Sequence, residues 1–320
     1  MTVEHLPTIF SRATCTDRGL CPVTRLRNQV EAIESHSLYY EVHGTGPKKV
    51  VFIMGLNSSS FAWAEQAAHF GQNPEYSIVL FDNRGVGHSS TPRGPYTTSG
   101  MAADVIVLLD YLGWKAERQL HVVGTSMGGM IAQELALKIP GRIISLTLAV
   151  TTPGGPPWTN LPPWKGALSL AKLMFTTDIE KKIPIILEMV YPLAWLEATA
   201  EDDEQGRTNR EIQIMTYRKR MLTTAPQHFL GAVSQMSAGL THHVTPPRLK
   251  KISDSIPYVH IVTGDQDNLV SPENSRLIKS CMPDAELEEW EKTGHALHVQ
   301  YPHKFNRMLE RVFAQGERRC

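Results

Sequence analysis

The stretch LHVVGTSMGGMIAQELAL, residues 120–137, decides how the rest of the chain is read. LHVV is a short apolar run of the kind that fills a strand buried on both faces. MIAQELAL places apolar residues at helical spacing and meets no breaker before Pro140-Gly141. Between them stands GTSMGG, residues 124–129, a serine flanked at spacing G-x-S-x-G. A strand that turns sharply into a helix around a reachable serine requires this pattern. Gly124, Gly128 and Gly129 remove side chains that would collide in the turn. The competing reading, a glycine-rich phosphate cradle, needs G-K-[ST] or G-x-G-x-x-G at the turn, and neither is present.

Outward from this turn, the same apolar signature recurs at VVFIM (50–54), SIVLF (77–81), LTLAV (146–150) and YVHIVT (258–263). Helical patterns separate these runs: MAADVIVLLDYLG (101–113) stops at a glycine, and PENSRLIKSCM (272–282) starts with a proline behind Ser271, a plausible N-cap. Strands alternating with helices predict an α/β fold with a mostly parallel sheet covered on both faces. VEAIES and LYYEVHG predict an opening hairpin that turns at His36-Ser37, and residues 1–25 read as an N-terminal arm. Residues 151–245 break the rhythm. They open with TTPGGPPWTNLPPW, contain no buried-strand run, and carry the apolar helical stretches ALSLAKLMF, IPIILEMVYPLAWL and HFLGAVSQMSAGL. EDDEQGRTNRE reads as a solvated segment between the last two. The expected organisation is an arm (1–25), a core made of 26–150 and 246–320, and a helical cap inserted at 151–245.

Bulk composition narrows the function classes. The chain has 320 residues and 42% hydrophobic content, enough for a sizeable core. Lys+Arg and Asp+Glu are each 32, so no whole-chain field draws it to nucleic acid or an anionic membrane. Cys15, Cys21, Cys281 and Cys320 follow no zinc or disulfide spacing, and free thiols fit a reducing compartment. The N-terminus lacks a basic start followed by a long apolar run, and no window reaches the roughly 18 apolar residues of a membrane span. The expectation is a cytoplasmic protein without metal or cofactor. Its oligomeric state is open.

A serine hydroxyl needs a base, usually a histidine held by a carboxylate, and donors for the oxyanion it creates. Asp265 and Asp267 follow YVHIVT, at the strand end where open α/β sheets collect functional groups. TTPGG follows LTLAV and offers no acid. The histidine should come later in the chain. His295, behind Gly294 and before the terminal helix PHKFNRMLERVFA, has that position, while His298 reads as packing. Met127 N–H directly follows the serine. The GLNSSSFAW loop after VVFIM supplies Leu56 N–H as the second donor and Asn57 as a side-chain candidate.

These four ordered segments resemble the α/β-hydrolase superfamily, in its esterase, lipase and C–C hydrolase branch, from about Glu31 to the C-terminus. LYYEVHGTGPKKVVFIMG is similar to that family's opening hairpin and first buried strand, and FDNRGVGHSS (81–90) to its D-x-R-G-x-G-x-S loop. The resemblance places the acid on Asp267 through G-x-x-D and the base on His295 through the G-H segment. Two departures stand out. Met54-Gly55 occupies the usual His-Gly, and Gln300 stands where an acid often follows the histidine. A serine rather than an aspartate nucleophile argues against the epoxide-hydrolase and dehalogenase branches.

The resemblance implies an α/β-hydrolase fold and a serine hydrolase cleaving a carboxylic ester, with Ser126, His295 and Asp267 as its triad. C–C bond, thioester and amide hydrolysis would use the same groups. A non-catalytic ligand-binding member would generally lack one of the three. Met127, Met130, Trp158, Trp164 and Met174 point to an apolar acyl or aromatic pocket under the cap, hence a small-molecule or lipid-like ester. ALSLAKLMF is apolar enough to touch a lipid surface, although a helix roofing the pocket explains it as well.

Overall fold

In the computed structural model, which describes residues 6–24, 35–201 and 203–320, the apolar runs lie side by side in an eight-stranded sheet. The strands are β1 (Cys15–Val23), β2 (His36–His43), β3 (Lys48–Ile53), β4 (Tyr76–Phe81), β5 (Leu120–Thr125), β6 (Ile143–Ala149), β7 (Tyr258–Gly264) and β8 (Glu286–Trp290). Their order is β1-β2-β4-β3-β5-β6-β7-β8. β1 and β2 run antiparallel, and all pairs from β4 to β8 are parallel. Val50 to Ile53, Leu120 to Thr125 and Tyr258 to Gly264 are wholly buried, which is why these segments are continuous apolar runs instead of alternating ones.

Two apolar layers cover the sheet. On one face α1 (Ala64–Gln72) and the terminal α12 (Pro302–Arg318) pack Phe70, Phe305 and Phe313 against Phe52 and Tyr76. On the other, α2 (Thr98–Tyr111), α3 (Met127–Lys138), α9 (Pro246–Ser255) and α10 (Pro272–Cys281) pack Leu108, Ile131, Leu249 and Ile278 against β5, β6 and β7. Ser271 accepts a hydrogen bond from Glu273 N at the start of α10, as an N-cap does.

Between β6 and β7 the chain leaves the sheet for α4 (Trp164–Phe175), α5 (Ile179–Val190), α6 (Leu193–Glu197), α7 (Asn209–Thr223) and α8 (Phe229–Leu240). These helices have a small core of their own, around Ile183, Leu187, Tyr191 and Leu196, which also holds Ala296 of the sheet domain. The short α11 (Leu297–Gln300) follows that residue.

Three local expectations need correction. The segment read as an arm contains β1, an edge strand whose register runs from Cys15 opposite His43 to Val23 opposite His36. His36 and Ser37 are therefore the start of β2, not a turn, and the partner of β2 is β1. The proposed VEAIES strand falls at residues 30–35, all but the last of them outside the described residues. Finally, the solvated stretch EDDEQGRTNRE runs into an unexpected helix: its last three residues form the first turn of α7, which starts with a capping box of Thr208 and Glu211. All four thiols are free, and no helix among the described residues is long and apolar enough to cross a membrane.

Candidate active site

Ser126 sits between β5 and α3 with φ 56° and ψ −124°, a conformation that a non-glycine residue holds only where its surroundings enforce it. The enforcement is visible in the backbone. Ser126 N donates to Ala149 O at 2.9 Å, and Ser126 O accepts from Gly129 N at 2.9 Å and from Thr151 Oγ1 at 2.7 Å. Gly128 packs directly on the Ile53 carbonyl at the end of β3, so any Cβ there would collide with backbone. The glycines bring α3 tight against the sheet and leave the serine side chain partly exposed.

Asp267 and His295 come from the loops after β7 and β8. His295 Nδ1 lies 2.7 Å from Asp267 Oδ2. Asp267 Oδ1 accepts from Leu269 N (2.7 Å) and Val270 N (2.9 Å), so both carboxylate oxygens are engaged. Both side chains are buried. The two loops are also tied together away from this pair. Asp265 Oδ1 accepts from Thr293 N at 3.0 Å, and Gln266 N donates to Thr293 O at 2.9 Å. Gln300 closes the histidine loop: its Oε1 accepts from Gly294 N and its Nε2 donates to Lys292 O, each at 2.9 Å. A carboxylate at 300 could accept the first bond but could not donate the second. The substitution therefore has a local structural role, and Asp265 is a loop tie while Asp267 touches the histidine.

The loop after β3 faces the serine. A Cβ on Gly55 would stand 2.9 Å from Ser126 Cβ. Leu56 follows, and Met127 is the first residue of α3, whose N–H has no partner within the helix. Three buried groups fix this loop. Asn83 Nδ2 donates to Met54 O at 2.9 Å. Asp82, fully buried, accepts from Ser60 N (2.7 Å) and His88 N (2.8 Å). Gln235 of α8 accepts from Asn57 N at 2.8 Å and donates to Arg84 O at 2.7 Å. Arg84 is itself anchored by a buried ion pair with Asp104. These contacts give the FDNRGVGHSS segment a physical role, that of bracing the loop opposite the serine. Gln235 was not anticipated. Its one signal in the sequence is a long amide in the otherwise apolar or small-residue stretch FLGAVSQMSAGL.

The expected pocket residues separate. Asn57 is exposed, and its Oδ1 accepts from Gln227 Nε2 of the insertion at 2.9 Å, so its side chain serves the seam. Met130, one helical turn past Ser126, borders a cavity of about 270 Å³ shared with Thr152, Leu161, Leu269 and Val270. Trp158 and Trp164 are each 73% exposed, and Met174 lies on the surface nearby. None of these three lines that cavity. The assignment of all three to an inner pocket is corrected accordingly: they are exposed and take no part in the insertion's small core. A larger hollow of about 550 Å³ between α4 and α5, beside Lys172 and Phe175, is lined by none of Ser126, Asp267 and His295.

Comparison with known proteins agrees with this fold. The family described as the alpha/beta hydrolase fold matches residues 48–302. A protein of Azorhizobium caulinodans, provisionally named carbamate hydrolase RutD, is 27% identical over 286 residues, covering 85% of this chain and 93% of that protein. 3-oxoadipate enol-lactonase 2 of Acinetobacter baylyi is 26% identical over 293 residues, covering 91% and 98%. The solved enol-lactonase of Burkholderia xenovorans superposes with a TM-score of 0.70 at 20% identity, over 87% of this chain and 97% of that one. With the family matched from β3 to the start of α12 and the sheet order in place, the chain belongs to the α/β-hydrolase fold family and is a hydrolase.

Proposed function

We propose that the protein is a serine hydrolase of carboxylic esters. Ser126 Oγ attacks the acyl carbon while His295 Nε2 takes its proton. His295 then protonates the departing alcohol and activates the water that hydrolyses the acyl-enzyme. Asp267 keeps the proton on Nδ1, leaving Nε2 to face the serine, and stabilises the imidazolium as it forms. Leu56 and Met127 amides receive the oxyanion. The observation that carries this reading is the 2.7 Å His295–Asp267 contact on loops that leave the same edge of the parallel sheet as a strained, partly exposed serine. The ester preference is supported by the relative whose name describes action on an enol-lactone, a cyclic ester.

Residues 151–245 act as the cap and shape the leaving-group and acyl sites. The cavity beside Met130, near the lower end of the range for ligand pockets, favours a compact acyl or alcohol group over a long chain. A p-nitrophenyl ester series of increasing acyl length tests both points, with Ser126→Ala as control. Turnover should be greatest for short acyl groups and absent in the variant. A parallel panel of thioesters, anilides and vinylogous 1,5-diketones addresses the other bonds this machinery could cleave. Faster turnover of any of them than of the best ester would replace the ester assignment.

A further inference from the structure

Far from Ser126 in the fold, at the start of the edge strand β1, three side chains distant in sequence converge. The donor atoms of Cys15, Glu41 and His43 all lie within 4.8 Å of one another. The register explains the meeting. Glu41 and His43 are two apart on β2 and share a face, and Cys15 is the partner of His43 across the strand pair. A register shift between Cys15 and Asp17 adds one residue to β1 at this point and re-aims the thiol.

The hydrogen bonds around the trio leave a gap in its centre. Thr14 Oγ1 lies 3.2 Å from Ser11 O and 2.9 Å from His43 Nδ1. His43 Nε2 lies 3.5 Å from Glu41 Oε2, at the limit of a hydrogen bond. Among the described residues neither atom has a well-formed hydrogen bond, and both residues are only 1% exposed. Tyr39 OH donates to the other oxygen, Glu41 Oε1, at 2.5 Å, and the Thr8 hydroxyl also borders this carboxylate. Cys15 Sγ reaches Asp17 O at 3.5 Å and is partly open to solvent. Arg18, opposite Glu41 in the register, turns its Nη2 to Leu6 O at 2.6 Å. A buried carboxylate oxygen and a buried imidazole nitrogen left this poorly paired are unfavourable, and a cation between them would satisfy both.

We propose that Cys15, Glu41 and His43 bind a divalent transition-metal ion, with zinc the best match. Sulfur, imidazole nitrogen and carboxylate oxygen form a ligand set that zinc accepts, and three protein ligands leave a fourth position for water on the open Cys15 side. Thiolate, carboxylate and neutral imidazole balance the two positive charges of the ion, so the buried site is neutral. Binding moves the thiol proton to solvent as the S–metal bond forms. Thr14 takes the outer role of orienting the imidazole through Nδ1. Bond lengths of about 2.0–2.3 Å require only that the donors close in by about 1 Å. The ion would clamp the segment before β1, where Phe10 packs edge-on against His43 at 5.4 Å, onto the sheet.

The test uses the full chain, stripped with a chelator and titrated with Zn²⁺ in competition with a chromogenic chelator, and separately with Co²⁺. The expected results are stoichiometric Zn²⁺ uptake, a thiolate-to-cobalt charge-transfer band and a rise in Tm on metal addition. Cys15→Ser should abolish the band and leave ester hydrolysis unchanged. His43→Gln should abolish uptake, and Thr14→Val should weaken it by about 10- to 100-fold. Absence of stoichiometric binding in the stripped chain would overturn the proposal. So would a charge-transfer band that survives in Cys15→Ser, or a Tm that ignores metal while His43→Gln lowers it. The last result would show a proton, not a metal, between Glu41 and His43. Cys15→Ser keeps the test usable if His43→Gln does not fold.

Discussion

The sheet domain and the helical insertion solve the placement of apolar side chains in opposite ways. Around the site the sheet domain buries nearly everything, and its loops are stitched by buried polar groups: Asp82, Asp265, Gln300 and the Asp267–His295 pair. In the insertion, apolar side chains face outward. Among the described residues, all the exposed large hydrophobic side chains but Tyr111 and Leu277 lie between Trp158 and Val233, with Phe175 86% exposed. Contacts between the two regions include Gln235 and Gln227 on the loop after β3, Thr224 and Arg220 on Ser59 and Ser58, Thr98 with His242, and Val190 O, which accepts from Ala296 N at 3.2 Å beside the histidine loop. The proposed chemistry rests on the frame of the sheet domain's stitched loops, and the insertion covers them through side-chain hydrogen bonds and the apolar contact of Ala296.

If this division is right, changes in the frame should be severe and changes on the insertion's outer face mild. The largest effect belongs to Asp267→Asn. It should lower kcat by about 10⁴-fold with the circular-dichroism spectrum unchanged, because the amide favours the wrong histidine tautomer. A fall below tenfold would mean that the carboxylate merely ties Leu269 and Val270.

Acid should attack the frame before the insertion. Burial pushes His121, His242 and His298 from their ordinary value near 6.5 down to about 3, and His260 down to about 4. His121, His260 and His298 lie in the sheet domain. The unfolded chain therefore binds more protons than the folded one between about pH 6.5 and 4. Stability is complete above pH 6.5 and declines as pH falls through that window, by up to about 1.4 kcal/mol per pH unit for each histidine. Urea unfolding at pH 7, 6 and 5 measures this. A midpoint independent of pH would contradict the burial of these rings.

The seam comes next. Gln235→Ala leaves Asn57 N and Arg84 O without their partner, at about 1–3 kcal/mol for each group that water does not reach. Chemical denaturation should show that loss, and ester turnover should fall with it as the loop opposite Ser126 loosens. The smallest effect is expected for Trp158→Ser and Trp164→Ser. Each should change stability by less than about 0.5 kcal/mol and leave short-ester turnover intact. A large loss of activity would return these residues to the pocket.

How much of this was legible follows the same division. The Ser126 turn could be read because G-x-S-x-G between an apolar run and a helical pattern is written in consecutive residues, although the contact that demands Gly128, the Ile53 carbonyl of β3, is distant in sequence. Asp265 and Asp267 could be placed after the apolar run YVHIVT, with the resemblance choosing Asp267, and His295 was marked by Gly294 before it and the terminal helix after it, since ELEEW is too charged to show as an apolar run. β1 could not. As an edge strand it buries only Cys21 and Val23 fully, and it carries Asp17, Arg18 and Pro22, so no continuous apolar run marks it. α7 packs only Ile214, Tyr217 and Met221 against the insertion's core, which leaves its sequence highly charged; the T-x-x-E box at Thr208–Glu211 was the available signal. Trp158 and Trp164 misled because an apolar residue in a thin helical layer can face either way. The Cys15–Glu41–His43 trio depends on a strand register that spacing does not give.

The most direct measurement is active-site labelling. The protein is treated with a fluorophosphonate, digested and mapped by mass spectrometry, alongside Ser126→Ala and Asp267→Asn. The account predicts a stoichiometric adduct on the peptide containing Ser126, with loss of esterase activity in step with labelling, a much slower reaction in Asp267→Asn and none in Ser126→Ala. An adduct on another residue, or ester hydrolysis that persists at the wild-type rate in Ser126→Ala, would contradict it.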